Sequence, residues 1–140
     1  MRDQRKKGHI VVIDDSPDYL GFMELLLAAE GFRVSTLNSS DTLPELCIVS
    51  RPDLVITDVC LPGREPFSVI DDLRSRDDLA SIPVLVCTGA ANEVQEHSAR
   101  LELWGIDVLM KPFDVDALLR RISALLPEAA SPAGAIGGAP

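Results

Sequence analysis

Asp53-Leu-Val-Ile-Thr-Asp58, running on into Val59-Cys-Leu-Pro-Gly63, is the stretch from which the rest of the chain is read. A short apolar run that ends on a carboxylate and is followed by Pro and Gly reads as a buried strand delivering an acidic side chain to a loop. Three more runs end the same way. Ile10-Val-Val-Ile13 leads into Asp14-Asp15, Val84-Leu-Val-Cys87 into Thr88, and Asp107-Val-Leu-Met110 into Lys111-Pro112. In an open parallel sheet, ligands bind outside the carboxyl ends of the strands. Parallel pairing therefore gathers an acid pair, a lone Asp, a hydroxyl and an amine at one edge.

Between these runs lie helix-like segments. Ser16-Pro17-Asp18 supplies a cap, a first-turn proline and an acid for the positive end of a helix. Tyr19, Met23, Leu26 and Leu27 follow at helical spacing, with Gly31 as the stop. Gly21 within this helix costs about 1 kcal/mol and suggests close packing against that face. A weak strand over Arg33–Leu37 comes next, then a helix from about Asp41 to Ser50. Further helices are expected from about Pro66 to Ser75, from Asn92 to Trp104 ended by Gly105, and from Asp114 to Leu126. Five strands alternating with five helices imply an α/β fold with a parallel sheet covered on both faces, because the strands are continuous apolar runs.

The chain has 140 residues, a length that suits one domain. Residues 1–8 read as a basic leader carrying Arg2, Arg5, Lys6 and Lys7, residues 9–126 as the folded unit, and 127–140 as a disordered tail or linker rich in Ala, Gly and Pro. A formal net charge of −9 disfavours direct contact with nucleic-acid phosphates. No run approaches the roughly 18 apolar residues of a membrane helix, and the start has no signal-peptide core, so the expected location is cytoplasmic. Cys47, Cys60 and Cys87 form no CxxC and share no spacing with His9 or His97. They read as reduced structural thiols, and the two histidines as exposed bystanders.

Asp14, Asp15 and Asp58 in one pocket repel one another, at roughly 3 kcal/mol per pair for charges about 5 Å apart and an effective dielectric near 20. A hard cation relieves that repulsion, and carboxylates without His or thiolate partners suit Mg²⁺ rather than zinc or iron. The same cation makes Asp58 a competent nucleophile towards phosphorus. Lys111 offers a positive charge for one phosphoryl oxygen and Thr88 a hydroxyl for another. The backbone carbonyl of Cys60 can complete the metal shell.

Ile10-Val-Val-Ile-Asp-Asp-Ser, Asp58-Val-Cys-Leu-Pro-Gly, Val84-Leu-Val-Cys-Thr-Gly-Ala and Lys111-Pro-Phe113 resemble, in order and each at a strand end, the signatures of response-regulator receiver domains of bacterial two-component signalling. The resemblance covers about Gly8 to Leu126. It implies a doubly wound, flavodoxin-like sheet in the order 2-1-3-4-5. It also implies Asp58 as phosphoacceptor, Asp14 and Asp15 as Mg²⁺ ligands, Thr88 as switch hydroxyl, Lys111 as phosphate-binding lysine and a cis Lys111–Pro112 bond. The implied donor is a histidine kinase or histidine phosphotransfer protein, and the chain is then a regulator rather than a turnover enzyme.

Three positions depart from the family pattern. Val108 stands where receivers carry an aromatic that turns inward, Pro66 where Gly is common, and Gly89 where Ala is common. Output is expected through Trp104, Val108 and the helix over 114–126 to a protein partner, with a phosphorylation-linked dimer as one form of it. Two other readings stand beside the switch. One is a constitutive receiver-like adaptor, favoured by Val108 and Pro66. The other is an Asp-nucleophile phosphatase of the haloacid-dehalogenase type, disfavoured because Cys60 holds the place of its second acid.

Overall fold

The structure is a computed structural model and describes residues 7–126; most of the basic leader and the whole 127–140 segment lie outside the described residues. Five strands form one sheet: β1 His9–Ile13, β2 Arg33–Leu37, β3 Leu54–Thr57, β4 Val84–Thr88 and β5 Asp107–Met110. Their order is 2-1-3-4-5 and every pairing is parallel, as expected. β1, β3 and β4 are buried along their whole length, whereas β2 and β5 form the edges and are partly exposed. This accounts for the weaker apolar signal of Arg33–Leu37.

Side chains alternate across the sheet and build two cores. Val11, Ile13, Val55, Val84 and Val86 pack with α2 (Leu43–Ser50), α3 (Ser68–Arg74) and α5 (Ser98–Leu103). Ile10, Val12, Leu54, Ile56, Leu85 and Cys87 pack with α1 (Pro17–Ala29) and α6 (Val115–Leu125). Each core is closed by helix residues that are fully buried, such as Ile70 and Leu73 on one side and Met23 and Leu118 on the other.

The first helix begins as its sequence dictates. Pro17 occupies the first turn, and the Ser16 hydroxyl accepts from the Tyr19 amide at 3.2 Å. Gly31 ends it at φ 101, a left-handed conformation costly for any residue with a Cβ. Gly21, however, is not a close-packing residue. It is exposed, and a Cβ added there meets nothing within 4 Å. Gly21→Ala is therefore expected to stabilise the protein by about 0.5–1 kcal/mol, through lower entropy of the unfolded chain and better helix propensity. Thermal and urea unfolding of the variant check this.

There are six helices among the described residues, not five. The segment expected as one helix over 92–104 is divided into α4 (Ala91–Glu96) and α5 at His97. His97 leaves the helical basin, with φ −107 and ψ 15, while its ring stacks on Phe67 with centroids 4.4 Å apart. Its Nδ1 lies 2.9 Å from the Glu93 carbonyl, to which the backbone amide of His97 also donates. Tertiary contact to Phe67 thus overrides local helical preference. After α5, Trp104 packs half-buried against the core under the Arg100 guanidinium, and Gly105 turns the chain at φ 66.

The helix expected from Pro66 starts two residues later. Proline fixes φ near −65°, and the left-handed turn falls instead on Phe67, at φ 70 and 1% exposed.

Nor are the histidines exposed. His97 is half-buried, and His9 is buried on β1 with Nε2 2.8 Å from the Ser35 hydroxyl. Burial, and then the nearby Arg33 charge, hold the His9 imidazole below its ordinary 6.5, with Asp53 opposing. The folded state therefore binds this proton less readily than the unfolded chain. The resulting stability is present above 6.5 and is lost as pH falls through the lowered folded value. Between pH 7 and pH 5 the wild type is expected to lose more stability than His9→Gln, as read from urea midpoints at the two values.

Candidate functional site

The site is built on backbone that continues the sheet by one residue beyond each strand. Asp14 N–H donates to the Leu37 carbonyl (3.1 Å), Asp58 N–H to Ile13 (3.2 Å) and Lys111 N–H to Thr88 (2.8 Å). Each functional side chain is thus tied to the last residue of the neighbouring strand and inherits its rigidity. By alternation Asp14, Asp58 and Lys111 fall on the side of the sheet covered by α1 and α6, and Thr88 on the other.

The side chains converge. The Lys111 ammonium donates to Asp14 Oδ2 at 2.7 Å and to Asp58 Oδ2 at 3.2 Å. The Thr88 hydroxyl donates to Asp58 Oδ1 at 2.7 Å, and the Cys60 amide donates to the same oxygen at 3.1 Å. Asp14 Oδ1 accepts from the Ser16 amide at 3.0 Å. Asp58 therefore receives donors on both oxygens from three separate segments while keeping 14% of its side chain exposed. Asp14 is almost fully buried at 2%, and Asp15 faces solvent at the rim.

Electrostatics follow from this geometry. Burial pulls the Lys111 ammonium towards neutrality, but the Asp14 hydrogen bond and charge, followed by Asp58, outweigh it and raise its pKa above the ordinary 10.5. Lys111 is thus a fixed cation at neutral pH. Burial raises the Cys87 thiol to about 12. Cys60 is exposed rather than structural, yet partial burial and then the charges of Glu93 and Asp58 raise its thiol as well. Neither has the thiolate character of a reactive cysteine.

Asp14, Asp58, Thr88, Lys111 and the Cys60 amide come together at this edge, exposed Asp15 takes part in none of these bonds, and one ammonium bridges Asp14 and Asp58. The pair can therefore share a cation. Among the described residues no three His, Cys, Asp or Glu side chains form a ready-made metal cage. Mg²⁺ does not require one, since it takes one or two carboxylates and keeps its waters. The all-oxygen donor set fits that ion.

Sequence reasoning missed Tyr19 and Phe67. Tyr19 presents its ring to the Lys111 ammonium, 4.1 Å from the centroid, from the first turn of α1. Phe67 secures the loop after Asp58, its amide donating to the Val59 carbonyl at 3.3 Å. In the sequence Tyr19 reads as one more apolar member of a helical stripe, and only the crossing of α1 over the sheet edge brings it to the lysine.

The family model for the response regulator receiver domain matches residues 10–123. This chain belongs to the response regulator receiver family. Among curated relatives, the DNA-binding dual master transcriptional regulator RpaA of Synechocystis is 33% identical over 117 residues, covering 84% of this chain and 48% of that protein. Transcriptional regulatory protein PrrA of Mycobacterium leprae is 34% identical, covering 84% and 49%. The receiver thus spans about half the length of the curated relatives it matches. Among solved structures, a putative response regulator from Chloroflexus aurantiacus aligns with TM-score 0.76 at 25% identity, covering 86% of this chain and 98% of that one. The BeF3-activated N-terminal receiver domain of RstA from Klebsiella pneumoniae aligns with TM-score 0.74 at 26% identity, covering 86% and 99%.

In this receiver the Lys111–Pro112 bond is cis, as the resemblance implied. Val108, at the position of the usual aromatic, is half-buried and packs against the core beside α5. Gly89 does not have a positive φ, and a Cβ there meets nothing within 4 Å, so the backbone at this position accommodates the more common Ala.

Proposed function

We propose that residues 9–126 act as a phosphorylation-controlled signalling switch whose phosphoacceptor is Asp58. The observation that carries this reading is the convergence on one carboxylate of the Thr88 hydroxyl, the Lys111 ammonium and the Cys60 amide, at the sheet edge next to Asp14. In the transfer step an Asp58 oxygen attacks the phosphorus of a phosphohistidine on a partner histidine kinase or phosphotransfer protein. The O–P bond forms as the N–P bond breaks, and the imidazole leaves with its electron pair and takes up a proton from solvent.

Asp14, Asp15, Asp58 and the Cys60 carbonyl would hold Mg²⁺, which when bound neutralises charge on the phosphoryl oxygens. Lys111 remains paired with Asp14 and turns its second bond from Asp58 Oδ2 to a phosphoryl oxygen, and Thr88 donates to another. Both are charge-assisted bonds to a dianion, of the size needed to shift a two-state equilibrium by several kcal/mol.

Output passes through the α5–β5–α6 face to a protein partner, or to a second copy as a phosphorylation-linked dimer. Leu103, Met110 and Val115 are large apolar residues exposed on these elements. The acidic body argues against direct nucleic-acid contact by this unit, and DNA binding is stated of the Synechocystis relative as a whole. A cytoplasmic location is in keeping with the receiver family, and no helix among the described residues is long and apolar enough to cross a membrane. A slow loss of the phosphoryl group by the receiver itself, rather than turnover of a substrate, would reset the switch.

A second reading, the constitutive adaptor, is favoured by Val108, which cannot make the inward turn of the usual aromatic, and by Pro66 in the loop after β3. Titrating a partner against wild type and Asp58→Asn, with and without acetyl phosphate, separates the two. The switch gives a donor-dependent affinity in the wild type alone, and the adaptor gives one affinity throughout.

A further inference from the structure

The ammonium of Lys111 is held by more than its two carboxylates. On its third side lies the face of Tyr19, with Nζ 4.1 Å from the ring centroid. We propose that Tyr19 is a positioning residue for the phosphoryl-transfer site, its ring fixing the Lys111 ammonium at Asp58. This rests on the reading of Asp58 as phosphoacceptor and Lys111 as its phosphate-binding partner.

Lysine carries its charge on a flexible four-carbon stem, so a site that uses it must restrict where it goes. Asp58 cannot do so throughout, because its bond to Lys111 through Oδ2 must be given up as the phosphoryl group arrives. Asp14 alone leaves the ammonium free to pivot about one oxygen. The Tyr19 ring is a neutral contact that phosphorylation leaves unaltered, and an aromatic face attracts a cation more strongly where water is partly excluded. With Asp14 below and the ring alongside, the remaining direction for the ammonium is towards Asp58.

The ring's own position is set by the chain start of α1. Ser16 accepts from the Tyr19 amide, and the same Ser16 donates its amide to Asp14, so the cap of α1 and the acidic residue are one hydrogen-bonded unit. Tyr19 packs on the core shared by α1 and α6. Its hydroxyl is buried beside the Cys87 thiol, a weak partner with which it makes no well-formed hydrogen bond. A buried hydroxyl whose neighbour is a thiol gains little from that contact. The working part of Tyr19 is therefore the ring and not the phenol.

Tyr19→Phe keeps the ring, whereas Tyr19→Leu and the more adaptable Tyr19→Met keep bulk and lose the aromatic face. The rate of adduct formation with acetyl phosphate and Mg²⁺, followed by intact mass, is expected to fall about three- to tenfold in the Leu and Met variants. The Phe variant is expected to stay within about twofold of wild type and to be at least as resistant to heat.

A spectroscopic signature accompanies this. Ring-current shifts of the Lys111 ε-methylene protons are expected in wild type and Tyr19→Phe and absent in the other two. Wild-type rates in folded Leu and Met variants, or no ring-current shift in the wild type, would overturn the proposal while leaving Asp58 as acceptor. A wild type that takes up no phosphoryl group at all would instead remove the reading of Asp58 as phosphoacceptor, and this inference with it.

Discussion

Asp58→Asn is expected to abolish every response to a phosphoryl donor while leaving the fold intact. Asn offers one carbonyl oxygen, which can still accept from Thr88 and the Cys60 amide, the two donors now on Asp58 Oδ1. Its other terminal atom is a nitrogen, which cannot accept from Lys111, so the ammonium withdraws wholly to Asp14. An amide is no nucleophile for phosphorus under these conditions. Transfer of labelled phosphate from a phosphohistidine donor is therefore expected to be undetectable. Affinity for Mg²⁺ falls as well, because one of the two buried carboxylates has lost its charge. Label on the variant would mean that another carboxylate, Asp14 or Asp15, is the acceptor.

Lys111→Met is expected to make stability depend more strongly on divalent cations and to slow transfer on the order of a hundredfold, the cost of losing a donor aimed at developing charge. Lys111 lies between Asp14, which is 3% exposed, and Asp58, which is 14% exposed. Removing it leaves two carboxylates facing each other in a partly desolvated pocket. The expected loss is about 1–3 kcal/mol at neutral pH without divalent cations. Millimolar Mg²⁺ restores that loss, and does so more strongly than in the wild type, since the ion no longer competes with the ammonium. The wild-type pair has the opposite limit. Lys111 is raised above 10.5, so its contribution is fully present below that value and is lost as pH rises through the folded one. Urea unfolding with and without Mg²⁺ and at high pH reads all three effects.

The convergence of Asp14, Asp58, Thr88 and Lys111 was legible because it needs only two facts. Each residue ends an apolar run, and alternating strands and helices make those runs parallel, which sends all carboxyl ends to one edge. Strand order came from the resemblance, since nothing in Arg33–Leu37 or Asp107–Met110 by itself says which edge it occupies. Other features depend on contacts between distant segments. The break at His97 is caused by Phe67, thirty residues earlier, and no local signal marks it. Pro66 does exclude a positive φ, but that the turn then falls on buried Phe67 follows from the packing of the loop. Gly21 reads as a packing residue from the cost it imposes, yet it faces open space, and its neighbours Phe22 and Leu25 are exposed as well. Tyr19 is the instructive case: its apolar spacing placed it correctly against the core, and the same position puts its ring face on the lysine.

Phosphoryl uptake at Asp58 is measured most directly by intact mass after incubation with acetyl phosphate, with Mg²⁺ and with the ion chelated. A single adduct on the wild type, absent from Asp58→Asn and lost on chelation, is the predicted result. A wild type that binds Mg²⁺ and remains unmodified, or an adduct that persists in Asp58→Asn, would contradict the assignment of Asp58 as the switch.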